Sequence, residues 1–570
     1  MRMRTATLIS AVTIAAIAAI RPVTATTPRF YVDDPIVREP EPQDAGGAAP
    51  SRLDLMYELT YNLFALPRHK PSGVRARNIN TIDEVPDSSW FTNRIGTRAL
   101  SIDDLVRGPV SGPPPDPSRW TISRQKTSGS HPGITARDAS GQTWFLEFDP
   151  PYYPNAATAA PVINSKIYWA LGYNQVESFL TTFDPKRMEI DPGAKFLRPN
   201  GKRTRVTRGD VAELLEHAAR RPDGTYRVFA GRQIPGTIIG NFRYQGTRPD
   251  DPNDIVPHED RRELRALGVF GAWTNVTDFK AENTLDTILT ENGHRVVKHY
   301  LQDVGSSLGM SNDIHTWDVG WEHFYQGKTM AKRLASFGFA LSPWQTVKYK
   351  EGPEIGKFEG DRFDPRTWRT HTPNAALMEM RDDDAFWAAR RIGAFSDEMV
   401  RAIVHAGEFT DPSAEKAIAD ILIKRRDTIL RAYLPAVNPI VTPRLENDRL
   451  SFENAAVAAD VAKAPERYRA SWFQFDNATG ETRPLGETTS ATTTIAAPRG
   501  LPAGTGSFIL VEISADSKAY AAWQRPVRTY FRRQGDEWTL VGLERTPDGP
   551  ADLAPHAVHG EPAERTSPRR

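Results

Sequence analysis

The chain has no cysteine in its 570 residues. That excludes a lipoprotein anchor, any disulfide, and any thiolate nucleophile or metal ligand. It also lacks an excess of one charge: 72 Lys and Arg stand against 71 Asp and Glu, a net of +1. Whole-chain charge therefore gives no argument for a nucleic-acid partner or an anionic membrane. No His-Glu-x-x-His occurs, and the twelve His are scattered. His294 and His299 sit at odd spacing on one expected strand, so they face opposite sides. Gly-x-Ser-x-Gly is absent apart from the weak run Gly504-Thr-Gly-Ser507. The Trp and Tyr residues form no aromatic platform for sugar or nucleic acid.

What is present is ordinary for a folded, soluble protein: 39% hydrophobic and 25% charged residues. The length calls for two or three domains. The 45 prolines imply long irregular connections. Arg2 and Arg4 precede an apolar run, Thr5–Ile20, and Val23-Thr24-Ala25 offers small residues for cleavage. This reads as a signal peptide over 1–25, too short and Ala-rich for a membrane span. The expected location is secreted or periplasmic, with no integral span after cleavage.

Composition divides the rest. Residues 26–50 are rich in Pro, Asp and Ala and are expected to be a disordered linker. Residues 51–117 read as a helical and loop extension, its first helix capped by Ser51. From 118 to 254 strands dominate: Trp120–Ser123, Ile134–Asp138 and Thr143–Phe148, with a polar loop Lys126-Thr-Ser-Gly129-Ser-His-Pro-Gly133 after the first. A helix over Asn155–Leu171 is expected, capped by Asn155 or beginning at Pro161, and stopped by Gly172. Tyr226–Ala230 and Gly236–Phe242 read as the last strands of this lobe. Asp191–Gly224 is basic, a solvated face or a contact for an acidic partner. Residues 255–436 are helical, and Asp382-Asp-Asp384 reads as a cap or a Ca²⁺ cluster. Regularly spaced strands over 445–546 imply a small β-sandwich. The Pro- and Arg-rich end, 547–570, reads as a disordered tail.

The chemistry-bearing stretch is Trp273–Gly309. Asp278-Phe-Lys-Ala-Glu-Asn283 opens it, and Tyr300-Leu-Gln-Asp303-Val-Gly305 closes it. Between them lie two alternating apolar runs joined by Glu291-Asn-Gly293, a strong hairpin signal that folds the two acidic ends together. Phosphoryl transfer uses such a set: one Asp orients or deprotonates the acceptor, an Asn a few residues on holds Mg²⁺, and a second Asp before Gly bridges metal to phosphates. The other reading is a surface turn before a buried strand.

The runs PDSSWFTNR (86–94), FRYQGTRPDDPNDIVPHEDRRELRAL (242–267), WTNVTDFKAENTLD (273–286) and HYLQDVGSSLG (299–309) resemble a family of secreted bacterial proteins. The central region of that family resembles the protein-kinase-like superfamily in its lipid-kinase and HipA-type branches. The resemblance covers roughly residues 50–435. It implies an α+β fold: a two-lobed kinase-like core, with a β-rich small lobe and a helical large lobe, followed by the all-β sandwich. It implies Mg²⁺ or Mn²⁺ and a nucleotide such as ATP, transferred to a hydroxyl acceptor. Asp278 would be the catalytic group, Asn275 would orient its loop, and Lys280 would reach the transferred group. Asn283 and Asp303 would hold the metal.

Two parts depart from the pattern. Glu147 stands where the strand Lys belongs, and a carboxylate there repels phosphate. The partner Glu on the next helix is missing, with Pro161 and Asn164 in its neighbourhood. Lys126, Gly129 and Gly133 of the polar loop, or Lys166 of the helix, are the candidate cofactor-binding substitutes. A catalytically inactive pseudokinase-like scaffold, or a surface or periplasmic binding protein with a protein partner, stands as the alternative.

Overall fold

The computed structural model describes residues 27–51, 53–126, 131–198, 201–291, 293–310, 320–341, 343–350 and 352–546. The expected signal peptide and tail, and Gly129, lie outside them. The architecture is α+β: a strand-rich lobe, then a largely helical lobe, then an all-β region.

The small lobe is built on strands β1 (Trp120–Gln125), β2 (Gly133–Arg137), β3 (Thr143–Phe148), β4 (Ser178–Phe183), β5 (Met188–Leu197), β6 (Arg203–Arg205) and β7 (Tyr226–Arg232). Their order is β4-β7-β3-β2-β1-β5-β6, antiparallel except for the β1–β5 pair. Two-residue alternation decides which side chains face the site. In β3, Trp144, Leu146 and Phe148 are buried on one face, where Val211 and Leu215 of the Arg208–Glu216 helix join their cluster. Phe145 and Glu147 therefore point to the other face. The basic insertion supplies that covering helix, and its Arg198 pairs with Asp210 at 2.5 Å.

After β3 comes the helix Ala159–Leu171, buried at nearly every position. Thr158, not Asn155, takes the N-cap position; Asn155 has φ +65° and bonds Glu354 instead. The segment expected as the final small-lobe strand instead joins the other lobe. Strand β8 (Thr237–Gly240) pairs with β9 (Thr284–Glu291), and β9 with β10 (His294–Leu301). Its partner is the hairpin because Gly236 and Gly240, with φ +89° and +98°, turn the chain off the large sheet.

The large lobe is organised on the helix Arg262–Thr274, buried along its length. It meets the helices Asp382–Gly393 and Pro412–Tyr433. Arg262 lies fully buried and bonds Asp83, Asp383 and Asp384. The Asp382–Asp384 cluster is thus an ion-pairing device that ties the extension to the core helix, with Arg265 also on Asp384. Residues 27–51 are not disordered: Phe30 packs on Phe475, Phe508 and Tyr530, and Ala45 and Ala48 are buried beside Ile239 and Val297. A few small and aromatic side chains suffice to hold this strap. The first helix is Leu55–Thr60, and Asp54 rather than Ser51 caps it, accepting from the Met56 and Tyr57 N–H groups.

The all-β region carries a three-stranded sheet, Ile440–Glu446, Arg449–Asn454 and Thr494–Ala496. Its five-stranded partner runs from Arg467–Phe475 to Glu537–Glu544.

Candidate active site

The floor of the site starts where the Arg262–Thr274 helix ends. Asn275 takes the left-handed conformation (φ +55°), and its N–H closes onto the Gly271 carbonyl. Asn is among the few non-glycine residues that adopt this turn cheaply. Its side-chain oxygen accepts from Trp368 Nε1 at 3.0 Å. Asn275 therefore acts as the cap that launches the loop and is itself buried.

Three residues on, Asp278 is held from several sides. Asn283 Nδ2 donates to its Oδ2 at 3.0 Å and to its backbone carbonyl at 2.8 Å. Lys280 Nζ stands 3.0 Å from the same carboxyl oxygen. His371 Nδ1 lies 3.5 Å from Oδ1, and its Nε2 meets Thr277 Oγ1 at 2.8 Å. Burial penalises the Asp278 charge, but His371 and Lys280 outweigh it and hold the carboxyl at about 2.

The hairpin brings in Asp303. Leu301 of β10 pairs with Thr284 of β9 without a register break. The residues just outside this pair are therefore neighbours: the Asp303 N–H donates to the Asn283 carbonyl at 3.2 Å. Thr277 N–H to the Ser306 carbonyl and Leu308 N–H to the Thr274 carbonyl fasten the segment after Asp303 to the loop that carries Asp278. Gly305 N–H donates to Asp303 Oδ1 at 2.9 Å. The Asp303 carboxyl is pushed up, first by desolvation and then by Glu147, against the pull of Lys126.

The roof comes from the small lobe. Lys126 follows β1, and its Nζ reaches Glu147 Oε1 of β3 at 2.6 Å. Gly133 of β2 lies between them and pairs with Glu147 in register. A methyl on Gly133 would sit 2.9 Å from Lys126 Cδ and from the Leu146 carbonyl oxygen. The missing side chain is what lets the lysine cross. Desolvation opposes the charge on each partner, yet each keeps it: Glu147 is held low by Lys126, and Lys126 is held high by Glu147 and Asp303.

Between roof and floor lies a cleft of about 340 Å³. Phe145 and Glu147 line it above, Leu285, Asp303 and Val304 below, Pro161 and Ser165 at the back. Apolar side chains such as Phe145, Phe229 and Ile238 alternate in its lining with polar ones such as Arg124, Gln175 and Gln302, a mixture that suits a ligand with a planar base and a charged tail. Asp278, Glu147 and Asp303 stand with Lys126 and Lys280, Arg124 and Arg232 line the same cleft, and carboxylates of this kind are the oxygen donors that hold a hard cation. Asn283 spends its amide nitrogen on Asp278, which turns the amide oxygen away from that carboxylate.

The structure therefore brings together Asp278, Lys280, Asn283, Asp303, Lys126 and Gly133. Lys166 does not join them: its Nζ donates to the Val106 carbonyl, and burial lowers it to about 8. Helical phase explains this, since Ser165 faces the cleft and Lys166 the neighbouring Ile102–Arg107 segment. Asn164 reaches Ser307 with its amide nitrogen. His371 went unread in the sequence. It lies 94 residues from Thr277 in no recognisable motif, and only the return of the chain places it.

No protein family and no curated protein matches the chain. Among solved structures it is similar to the proinflammatory kinase CtkA of Helicobacter pylori, at 11% identity, a TM-score of 0.29, and coverage of 56% of this chain and 97% of that one. It is also similar to the Golgi casein kinase, at 10% identity, a TM-score of 0.28, and coverage of 70% and 96%. The same kinase with Mn/ADP bound gives 11% identity, a TM-score of 0.27, and coverage of 70% and 95%.

Proposed function

We propose that this cleft binds a nucleotide such as ATP with Mg²⁺ or Mn²⁺ and transfers a phosphoryl or nucleotidyl group to a hydroxyl acceptor. The protein would do so outside the cytoplasm, consistent with the leader read in its sequence. The observation that carries the reading is the convergence of Asp303, Asn283 and Asp278 through adjoining hydrogen bonds, under the Lys126–Glu147 pair.

Each residue has a role that its surroundings permit. Asp278, ionised down to about pH 2, is a weak base and a good orienter: it accepts the acceptor O–H and aims its oxygen. His371 and Thr277 fix that carboxylate in place. Asp303 and the Asn283 amide oxygen are the donors for the metal, which would neutralise the phosphates and the surrounding carboxylates. Lys126 supplies from the end of β1 the positive charge that β3 lacks, through a four-carbon stem with enough reach. Lys280, beside Asp278, reaches the transferred group.

Thermal unfolding with Mg²⁺ or Mn²⁺ and a nucleotide tests this. Ligand that binds the folded state alone raises the midpoint. The wild type should rise with metal and nucleotide together, and Asp303→Ala should not. No rise with any nucleotide would sink the reading and leave a catalytically inactive scaffold or partner-binding protein.

A further inference from the structure

The segment 327–350 reads GKTMAKRLASFGFALSPWQTVKYK. It has no Asp and no Glu, and five basic residues: Lys328, Lys332, Arg333, Lys348 and Lys350. Its helix, Gly327–Ala335, buries none of its residues. Met330 and Leu334 fall one turn apart on this helix, and Phe337 follows just past its end. Leu334 is 81% exposed, Phe337 92% and Phe339 88%.

The turn that carries these rings is ordered. Phe337 sits at φ +52°, a left-handed conformation unusual for a bulky residue, and Gly338 follows at φ +85°. The Phe337 N–H closes on the Leu334 carbonyl, the Phe339 N–H on the Ser336 carbonyl, and the Ala340 N–H on Ser336 Oγ. Local hydrogen bonds thus hold an aromatic tip out in water, where burial would favour it. The apolar face continues onto a second element. Tyr325 meets Phe64 with ring centroids 4.9 Å apart, and Phe64 belongs to the segment that exposes Leu55, Met56 and Tyr57. Arg68 and Lys70, both exposed, follow it.

We propose that this face docks on an anionic lipid surface. Bulky apolar groups at a tip, flanked by Lys328, Lys332, Lys348 and Lys350, match the acyl boundary and the charged headgroups together, while Arg333 is paired with Glu322 at 2.6 Å. Lysine stems lie along the apolar layer while the ammoniums stay at the headgroups. A second copy of the chain fits worse, because a two-fold contact of this face with itself would bring two basic segments together. Among the described residues no helix is long and apolar enough to cross a membrane.

The absence of cysteine makes the test specific to the site. Phe337→Cys and Asp536→Cys are each labelled with an environment-sensitive fluorophore in the full chain. Asp536 is fully exposed in the all-β region and serves as the control. Vesicles of phosphatidylcholine alone are compared with vesicles that also carry phosphatidylglycerol. The proposal expects a blue shift and a several-fold rise in emission for the Phe337 label on the anionic vesicles only, and none for the Asp536 label. Adding Lys328→Glu and Lys332→Glu should abolish the change without altering the melting temperature. No change at the Phe337 label overturns the proposal. So does an equal change on neutral vesicles, persistence in the charge-reversed variant, or a change without vesicles that grows with protein concentration.

Discussion

Lys126 crosses from the end of β1 to Glu147 on β3, Nζ to Oε1 at 2.6 Å, over the bare Cα of Gly133. A lysine from the end of β1 thus stands beside the carboxylate on β3, the strand on which the resemblance expects a lysine. The pair is half-buried, so its worth to stability is modest, about 1 kcal/mol or less. Its importance is positional, since it sets a cation above Asp303.

Gly133→Ala should therefore act through Lys126. The new methyl would lie 2.9 Å from both Lys126 Cδ and the Leu146 carbonyl oxygen, and one of these is backbone. Overpacking of this kind costs about 1–3 kcal/mol. We expect a lowered melting temperature together with a loss of the nucleotide-induced rise. Lys126→Met should lose the rise while melting within a few degrees of wild type, and adding Glu147→Gln should not restore it.

His371→Ala should separate binding from chemistry. The imidazole touches Asp278 and Thr277 but does not line the nucleotide cleft. Misplacing an acceptor-orienting carboxylate by about 1 Å costs on the order of 100-fold in rate. The expected result is a fall of that order in kcat, with the nucleotide KM changed by less than about threefold. Steady-state kinetics on a surrogate acceptor reads both.

Asp278 predicts an acid limb of stability. Its folded carboxyl titrates at about 2, below the ordinary value of 3.8. A depressed carboxylate adds stability above the unfolded value, and loses it as pH falls from 3.8 through 2. The gap corresponds to about 2 kcal/mol as an upper figure. Asp278→Asn should flatten the pH dependence of unfolding between pH 4 and pH 2 and leave the neutral region less changed. Denaturant melts across that range read it.

Arg262→Met should be the most damaging of these changes to stability. It would leave Asp83, Asp383 and Asp384 buried without their common guanidinium. Breaking a buried network from one side costs about 3–5 kcal/mol. The expected outcome is a large drop in the melting temperature, or a chain that fails to fold at 37 °C.

These features were legible in the sequence to different depths. Alternation in Asn283–Thr290 and His294–Leu301, with Asn-Gly between, predicts the hairpin and hence the meeting of Asn283 with Asp303. That signal is local, and the pairing register preserves it. Lys126 against Glu147 depends on three strands pairing and on an absent Cβ, which spacing along the chain does not encode. The phase of the Ala159–Leu171 helix turned Lys166 away, because Ser165 and not its neighbour faces the cleft. The order of residues 27–51 was hidden by composition: Pro, Asp and Ala read as solvated chain, while single side chains such as Phe30 fix it. The membership of Thr237–Gly240 in the hairpin sheet followed from two glycines whose positive φ no periodicity announces.

The central claim is that Asp303, Asn283 and Asp278 form a metal-dependent nucleotide site under Lys126. Mn²⁺ titration followed by electron paramagnetic resonance, with and without ATP, reads it directly. The account predicts that ATP tightens Mn²⁺ binding to the wild type by at least about tenfold, a gain lost in Asp303→Ala and reduced in Lys126→Met. Mn²⁺ binding that ATP does not alter, or that survives Asp303→Ala unchanged, would contradict it.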